Sequence, residues 1–325
     1  SVVILSYNQF AETTGPCLES LERVAEPDLE IIVVDNCSDG QTRVLLQQAA
    51  GRDSRVRLLL NDENRGYAGG NNDGVASAQA DSIVLLNSDT QVLPRSLSLL
   101  AEGLRAFSAP VILGPVTNAA GNEQQIYVSP GSVREVLRQG ELWSTHAGGS
   151  TFATDLLSFF CVAMAKRTYE ELGGLDEGFG LGFYEDTDFC CRAVRQGFSL
   201  KVLEESFVYH RGSASFSTMP ARTRELLKIN RRRFREKNGR MAMEHVRDKN
   251  LRVLRHYLAE PAQDRKSPAW RHRFANRLQR GMELLPNNPL KRLLYLWRLG
   301  GIRQSFRSAG FRLPADTASG HDGQE

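Results

Sequence analysis

Ile83-Val84-Leu85-Leu86-Asn87-Ser88-Asp89 is the stretch of this 325-residue chain that decides the predicted fold. Its four apolar residues, between flanks that turn the chain, predict a buried strand of a parallel sheet. The strand delivers three polar residues at its carboxyl end, where open α/β sheets bind their ligands. Because hard divalent cations prefer oxygen ligands, Asp89 is a candidate metal ligand. Asn-Ser-Asp is also an ordinary turn and helix-capping sequence, so the stretch alone leaves both interpretations open.

Three further apolar runs precede this stretch, and a helical pattern separates each run from the next. The runs cover residues 2–5, 30–34 and 55–60. Strands that alternate with helices in this way need right-handed crossovers. The sequence therefore predicts an α/β fold with a Rossmann-like, mostly parallel sheet flanked by helices. Another strand is predicted at 157–165, and the last strand is predicted within 200–209.

Polar residues also follow the first two predicted strands. Ser6, Tyr7 and Asn8 follow the first, and Asp35 and Asn36 follow the second. An acidic residue at such a strand end can bind a nucleobase or a ribose. These residues predict a nucleotide pocket.

Residues 64–72, Asn-Arg-Gly-Tyr-Ala-Gly-Gly-Asn-Asn, form a glycine-rich segment that we predict to be a loop before a helix. Glycines let a backbone approach a phosphate closely, with a helix amino terminus behind it. The segment matches neither the dinucleotide fingerprint nor a P-loop, and a plain flexible loop is the alternative. Residues 109–150 show few periodic segments, and we interpret them as the part that shapes an acceptor cleft.

A second polar cluster combines Glu185, Asp186 and Asp188 at the start of a predicted helix. Acidic residues cap helix amino termini, which is one interpretation. The other is a general base whose pKa is raised by its like-charged neighbours. His210 ends the last predicted strand, where it is either a structural histidine or a metal ligand.

Composition indicates an ordinary soluble protein, with 41% hydrophobic and 24% charged residues. No apolar run is long enough to span a membrane, and no signal peptide is recognised. The chain opens at Ser1 without an initiator Met, and we interpret it as a segment of a longer protein with further domains. Five cysteines, odd in number and without metal-site spacing, favour a reduced, cytoplasmic protein.

Charge divides the chain into an acidic body and a basic carboxyl-terminal part. Residues 220–313 hold 25 Lys and Arg against 7 Asp and Glu, whereas the remainder holds 16 against 31. We predict a catalytic domain at 1–219, a basic helical region at 220–313 and a disordered tail or linker at 314–325. Helices are predicted at 221–237, 242–258, 269–284 and 290–299. The last is amphipathic and either lies on an anionic membrane or packs on the body. Nucleic-acid binding is not expected, because no such motif occurs.

Several motifs, in this order, resemble those of family 2 glycosyltransferases. They are Ser6-Tyr7-Asn8, Val34-Asp35-Asn36-x-Ser38, the glycine-rich segment 64–72, Asn87-Ser88-Asp89, Gly173-Gly174-Leu175-Asp176-Glu177, Tyr184-Glu185-Asp186-x-Asp188-x-x-x-Arg192 and Tyr209-His210. The resemblance extends from Ser1 to about Gly239 and is strongest to the bacterial rhamnosyltransferase-like subgroup. It implies a GT-A fold and an inverting, nucleotide-sugar-dependent transferase.

The resemblance also implies a role for each matching residue. Asp186 falls at the catalytic base with Glu185 beside it, while Asp89 and His210 match ligands of Mg²⁺ or Mn²⁺. Asn87 replaces the first acid of the family's metal motif, which should weaken metal binding and leave Asn87 to act through water or sugar contacts. The residues implied in binding the nucleotide sugar are Ser6, Tyr7, Asn8, Asp35, Asn36, Asn64, Gly66, Gly69, Asn71, Asn87 and Ser88.

The implied reaction moves a sugar, rhamnose or another hexose, from a dTDP- or UDP-sugar to a hydroxyl group. The acceptor would be a saccharide, a lipid-linked glycan or a protein, in bacterial surface polysaccharide or glycoconjugate synthesis. The enzyme would work in the cytoplasm, at the inner face of the membrane if its basic helices contact lipid. Two alternatives stay open. Nucleotidyl transfer would need a basic loop, yet residues 6–15 contain no Lys or Arg. A catalytically inactive binding module is suggested by Asn87.

Overall fold

The computed structural model describes residues 1–26, 28–212, 220–239 and 244–308, so the predicted tail at 314–325 lies outside the described residues. The described strands are β1 Val2–Ser6, β2 Ile31–Asp35, β3 Val56–Leu60, β4 Ser82–Asn87, β5 Thr90–Val92, β6 Val111–Val116, β7 Thr151–Thr154, β8 Cys161–Ala165 and β9 Ser199–His210. The described α-helices are α1 Thr14–Glu22, α2 Gly40–Arg52, α3 Gly66–Ser77, α4 Ser96–Ala106, α5 Val133–Ala147, α6 Lys166–Glu171, α7 Glu185–Arg195, α8 Pro220–Asn238, α9 Val246–Ala259, α10 Pro268–Glu283 and α11 Pro289–Ser308.

One central sheet runs in the order β3-β2-β1-β4-β8-β6-β9-β5, with β7 paired to β9. The first four strands are parallel, as predicted. The second half is mixed: β8 is antiparallel to both β4 and β6, and β9 is parallel to β6 but antiparallel to β5 and β7. Val2, Val3 and Ile4 of β1 are buried because helices cover both faces of the sheet. The α/β prediction is confirmed.

The glycine-rich segment corrects one prediction. Helix α3 begins at Gly66, so most of the predicted loop is helical. The small residues are needed for packing on β1, because a Cβ on Gly70 would overlap Leu5 and one on Gly74 would overlap Val3. Helix and sheet can approach this closely only without side chains at those positions.

The region between 109 and 150 is more ordered than its sequence suggests. It contains β6 and helix α5, whose first turn is fixed by a capping box between Ser132 and Glu135. The strand predicted at 157–165 is shorter than expected and begins only at Cys161.

Helices α8, α9 and α10 fall close to their predicted positions, whereas α11 continues beyond its predicted end at 299 to Ser308. Helix α10 packs against α5 and α9. Some charged side chains of these helices are buried in the core. Glu204 of β9 is buried and forms ion pairs with Arg277 at 3.1 Å and Arg273 at 3.2 Å. The Tyr257 hydroxyl donates to the same carboxylate. This network, the Glu204 cluster, joins α9 and α10 to the sheet.

Helix α11 packs through one face only. Tyr295, Leu299, Ile302 and Phe306 are buried along that face. Phe306 stacks on Trp270 and Phe274 of α10, with ring centroids 5.7 and 4.7 Å away. Within the part of the chain that the structure describes, no helix has the length and apolar content needed to cross a membrane.

Candidate active site

The carboxyl ends of β1, β2 and β4 lie side by side at one edge of the sheet. Ser6 pairs with Asp35, and Leu5 pairs with Asn87, in the parallel ladders on either side of β1. Polar residues that are distant in sequence therefore meet where open α/β sheets bind ligands.

The end of β1 is tied to the segment that follows β2. The Asn8 backbone amide donates to Ser38 Oγ at 2.9 Å, and Asn8 Oδ1 accepts from the Asp39 amide at 2.9 Å. Ser6 is buried, whereas the Tyr7 ring is exposed. Of these three predicted site residues, Tyr7 presents its side chain to solvent, and Ser6 and Asn8 hold the backbone in place.

The Asp35 carboxylate is buried and already has partners. It accepts from the Ser38 backbone amide at 3.2 Å and from Arg43 Nε at 2.8 Å. A carboxylate paired in this way orders the loop after β2. Direct contact between this side chain and a nucleobase stays a prediction.

Asn36 joins the end of β2 to the start of α3. Its Nδ2 donates to Asn64 Oδ1 at 2.9 Å and to the Gly66 carbonyl at 3.1 Å, and its Oδ1 accepts from the Arg65 amide at 3.0 Å. Asn64 Oδ1 also accepts from the Gly66 amide at 2.9 Å. The structure thus uses Asn36, Asn64 and Gly66 to connect neighbouring strand ends.

The predicted phosphate-binding residues of the glycine-rich segment are packed rather than open. A Cβ on Gly66 would overlap the carbonyl oxygen of Gly180, and one on Gly69 would press on Arg65. Asn71 is buried and donates to the Tyr67 carbonyl at 2.8 Å within α3. Their contact with a donor therefore stays a prediction.

Asp89 and His210, the two predicted metal ligands, are brought together across β4, β5 and β9. His210 Nε2 lies 3.4 Å from Asp89 Oδ1. His210 Nδ1 lies 2.8 Å from the Ala119 carbonyl, which can only accept, so Nδ1 carries the proton. Burial lowers the pKa of His210, but its hydrogen bond to Asp89 and the charge of Asp89 outweigh burial and raise it.

These two side chains suit a divalent cation that binds together with the ligand of this site. Neutral His210 would offer Nε2, and Asp89 would offer a carboxylate oxygen. Over residues 1–26, 28–212, 220–239 and 244–308, no group of three or more His, Cys, Asp or Glu side chains could hold a metal. Metal binding by Asp89 and His210, and its weakening by Asn87, therefore stay predictions.

Tyr67 is a central residue of the site that was not among the predicted site residues. Its hydroxyl lies 3.0 Å from Asn87 Oδ1 and 2.8 Å from the Phe159 carbonyl, both of which can accept from it. Burial, followed by the charges of Glu185 and Asp186, raises its pKa. Tyr67 therefore lies between Asn87 and the acidic cluster. Its only sequence signal was an aromatic hydroxyl within a segment of small residues. Ser88, beside Asn87, is partly exposed.

Glu185, which is buried, and Asp186, which is partly exposed, form an acidic pair at the start of α7. Burial, and then the charge of Asp186, raise the pKa of Glu185 to about 8. Burial also raises the pKa of Asp186, whose Oδ1 accepts from the Thr187 amide at 2.6 Å. Glu185 Oε2 has no hydrogen-bond partner among the described residues. The pair can therefore hold a proton near neutral pH, as acid–base chemistry requires.

The backbone directly before this acidic pair is strained. Phe183 and Tyr184 have φ values of +72° and +77°, which side-chain-bearing residues rarely adopt. Asn230 of α8 compensates, because its Nδ2 donates to the carbonyls of Phe179 and Gly182, each at 2.7 Å. Helix α8 thus fixes the segment before the acidic pair.

Asp188, the third acid of the cluster, has a structural role. It is buried and accepts from Arg192 at 2.8 Å, Lys237 at 2.9 Å and Asn238 at 2.9 Å. Burial raises its pKa, but these hydrogen bonds outweigh burial and hold the pKa below its usual range. Asp188 therefore links α7 to α8 as a permanent anion.

The acidic pair predicts a pH-dependent free energy of unfolding. The folded pKa of Glu185, about 8, exceeds its ordinary value of 4.5. Its stabilising contribution is therefore complete below pH 4.5 and is lost as the pH rises through 8. We expect Glu185→Gln to remove a slope of up to about 1.4 kcal/mol per pH unit. Urea unfolding across this range would measure it, with exposed Glu236→Gln as the control. A difference between wild type and Glu185→Gln that does not change with pH would contradict a protonated Glu185.

A sequence model of glycosyl transferase family 2 matches residues 1–167. The chain belongs to this family. An uncharacterized glycosyltransferase of Haemophilus influenzae is 25% identical over 233 residues, which cover 70% of this chain and 74% of the relative. A GalNAc(5)-diNAcBac-PP-undecaprenol beta-1,3-glucosyltransferase of Campylobacter jejuni is 25% identical over 194 residues, 58% of this chain and 60% of the relative.

Comparison with a solved structure shows a similar fold. The crystal structure of GalNAc-T7 with UDP, GalNAc and Mn²⁺ superposes with a TM-score of 0.53 at 15% identity. The match covers 67% of this chain and 45% of that one. Together with the α/β sheet, whose first four strands are parallel, this likeness identifies a GT-A fold.

Proposed function

We propose that the chain is a metal-dependent, inverting glycosyltransferase that uses a nucleoside diphosphate sugar. The observation that carries the proposal is the placement of two groups around Tyr67. Asn87, which accepts from Tyr67, leads into the Asp89–His210 pair. The Glu185–Asp186 pair lies close enough for its charges to act on the same hydroxyl. A cation-binding pair beside a proton-accepting pair is what transfer from a diphosphate donor requires.

In the proposed reaction, Asp186 accepts the proton of an acceptor hydroxyl. The acceptor oxygen then attacks the anomeric carbon from the face opposite the diphosphate, which leaves with the bonding electron pair. Glu185 stays protonated and so avoids a second negative charge beside the base. Mg²⁺ or Mn²⁺, held by Asp89 and His210, would neutralise charge on the leaving diphosphate.

The donor and the acceptor follow from the resemblance and from relatives. We propose a UDP- or dTDP-sugar donor carrying rhamnose or another hexose. A lipid-linked glycan is the acceptor that we favour, because the Campylobacter relative's name specifies an undecaprenol-linked one. Such an acceptor would place the enzyme at the inner face of the cytoplasmic membrane, within bacterial surface polysaccharide or glycoconjugate synthesis.

A screen of nucleotide sugars with Mn²⁺ would test donor binding. We expect the correct donor to raise the melting temperature, since a ligand of the native state stabilises it by mass action. Asp89→Ala should abolish the metal-dependent part of this shift, and Asp264→Ala, an exposed acid outside the site, should keep it. Unchanged metal-dependent protection in Asp89→Ala would refute the metal assignment. Binding without donor hydrolysis or transfer to any acceptor would indicate an inactive module.

A further inference from the structure

Helix α11 has a second apolar face, which no described residue covers. Four large side chains stay exposed on it: Leu290 by 79%, Leu293 by 68%, Leu294 by 58% and Trp297 by 75%. With 3.6 residues per turn, they lie opposite the buried face that begins at Tyr295. We call these four residues the α11 apolar face. Contiguous apolar exposure of this kind marks an interaction surface.

The charges around this face have one sign. Helix α11 contains no Asp or Glu. Lys291 and Arg292 are exposed in its first turn, Lys291 at the edge of the apolar face and Arg292 on the opposite side of the helix. Arg298, nearly two turns further along the helix, pairs with Asp248 of α9 at 2.5 Å. The face is thus free of charge, and Lys291 and Arg298 lie along one of its edges.

This arrangement of apolar and cationic side chains distinguishes between two partners for α11, a second copy of the chain and a lipid surface. A second copy of the chain would pack α11 against α11 by two-fold symmetry, which would bring like-charged borders together with no acid on the helix to offset them. An anionic lipid surface complements the cations and takes up the apolar side chains. Trp297 has the amphipathic ring that prefers the membrane interface.

We propose that the α11 apolar face attaches the protein to anionic membranes, with the helix axis in the plane of the interface. Tyr295, Leu299 and the rest of the buried face hold the helix on the body, while the opposite face enters the lipid. Both interpretations of the helix predicted at 290–299 then apply. The buried face packs on the body, and the α11 apolar face lies on the membrane. Because attachment uses no catalytic residue, it is independent of the proposed reaction.

Trp297 provides a site-specific reporter of this contact. The chain has three Trp residues, and the other two, Trp143 and Trp270, are each only 1% exposed. Full-length protein should show blue-shifted Trp fluorescence, quenched by lipids brominated on their acyl chains. At low salt this is expected with vesicles of phosphatidylcholine and phosphatidylglycerol, and not with phosphatidylcholine alone.

Cosedimentation with the same vesicles would show whether the α11 apolar face binds the lipid. Leu290→Gln with Leu293→Gln should reduce partitioning at least about tenfold, because two apolar side chains no longer enter the lipid. Lys291→Gln with Arg292→Gln should reduce the preference for anionic lipid several-fold. Leu142→Gln with Ile229→Gln, which alters exposed apolar residues on α5 and α8, is the matched control and should bind as wild type does.

Three outcomes would overturn the proposal. One is no binding of the wild-type chain to anionic vesicles at low salt. Another is equal binding by the Leu290/Leu293 variant, checked as folded by circular dichroism. The third is light scattering that shows a dimer, lost in that variant, with no vesicle binding by either protein. Since none of these measurements follows sugar transfer, each result would leave the proposed reaction untouched.

Discussion

Asp186→Asn is expected to reduce turnover about 10²- to 10⁴-fold while donor affinity stays near that of the wild type. An amide cannot accept the acceptor's proton, and general base catalysis contributes a factor of this size. Asparagine retains an oxygen for the Thr187 amide, which donates to Asp186 at 2.6 Å. The fold of the α7 start should therefore survive. Turnover would be measured with the donor that gives the largest stabilisation, and its dissociation constant by calorimetry.

Two comparisons make this experiment specific. Glu236→Gln removes an exposed acid on α8 and should leave turnover unchanged. Glu185→Gln keeps the neutral form that we assign to Glu185, so its loss of turnover should be much smaller than that of Asp186→Asn. If Glu185→Gln were inactive and Asp186→Asn active, the two roles would be reversed. Near-normal transfer by both variants would exclude the pair as the base.

Arg277→Met should lower the free energy of unfolding by about 3–5 kcal/mol, the largest stability effect that we expect. Arg277 is fully buried, and it pairs with Glu204 at 3.1 Å and donates to the Glu123 carbonyl at 2.6 Å. Removing one partner of a buried ion pair leaves the other charge without enough compensation. Urea unfolding followed by circular dichroism would measure the loss.

The matched control lies on the same helix. Arg271 is exposed, and Arg271→Met should change stability by at most about 0.5 kcal/mol. The double variant Glu204→Leu, Arg277→Met should lose less than the sum of the two single changes, because it removes both charges together. Additive losses would contradict a coupled pair. A large loss in Arg271→Met would instead indicate a general effect of charge on α10.

The first half of the fold could be predicted because it is locally encoded. Strands β1, β2 and β4 are apolar runs buried on both faces, whereas β3 lies at the sheet edge and is only partly buried. All four can be recognised from their own residues, without knowledge of their neighbours. The second half could not be predicted in the same way. Strand β5 has only three residues, and the antiparallel placement of β8 depends on contacts with β4 and β6 that no local pattern reveals.

The candidate site likewise contains residues that the local sequence predicts and residues that it does not. Asp89 and His210 follow strands, so their meeting could be predicted from strand ends. Tyr67 could not be selected, because its importance comes from reaching Asn87 across the space between α3 and β4. Asn230 lies some 45 residues after the acidic pair, and only the folded chain shows that it holds the backbone just before the pair.

The glycine-rich segment shows the limit of composition as a guide. A run of glycines is compatible with a phosphate-binding loop and with a helix pressed against a strand. Gly70 and Gly74 are needed for the second reason, since Leu5 and Val3 occupy the space where their side chains would be. Their partners on β1 are more than sixty residues away, so local sequence could not decide between the two.

The contact between Gly66 and the Gly180 carbonyl has a consequence for engineering. The start of α3 and the approach to the acidic pair touch through bare backbone, with no side chain to absorb a mismatch. A chimera that imports one of these segments from a relative would have to import the other as well. A folded chimera is therefore expected when the two segments are exchanged as a unit, and not when either is exchanged alone.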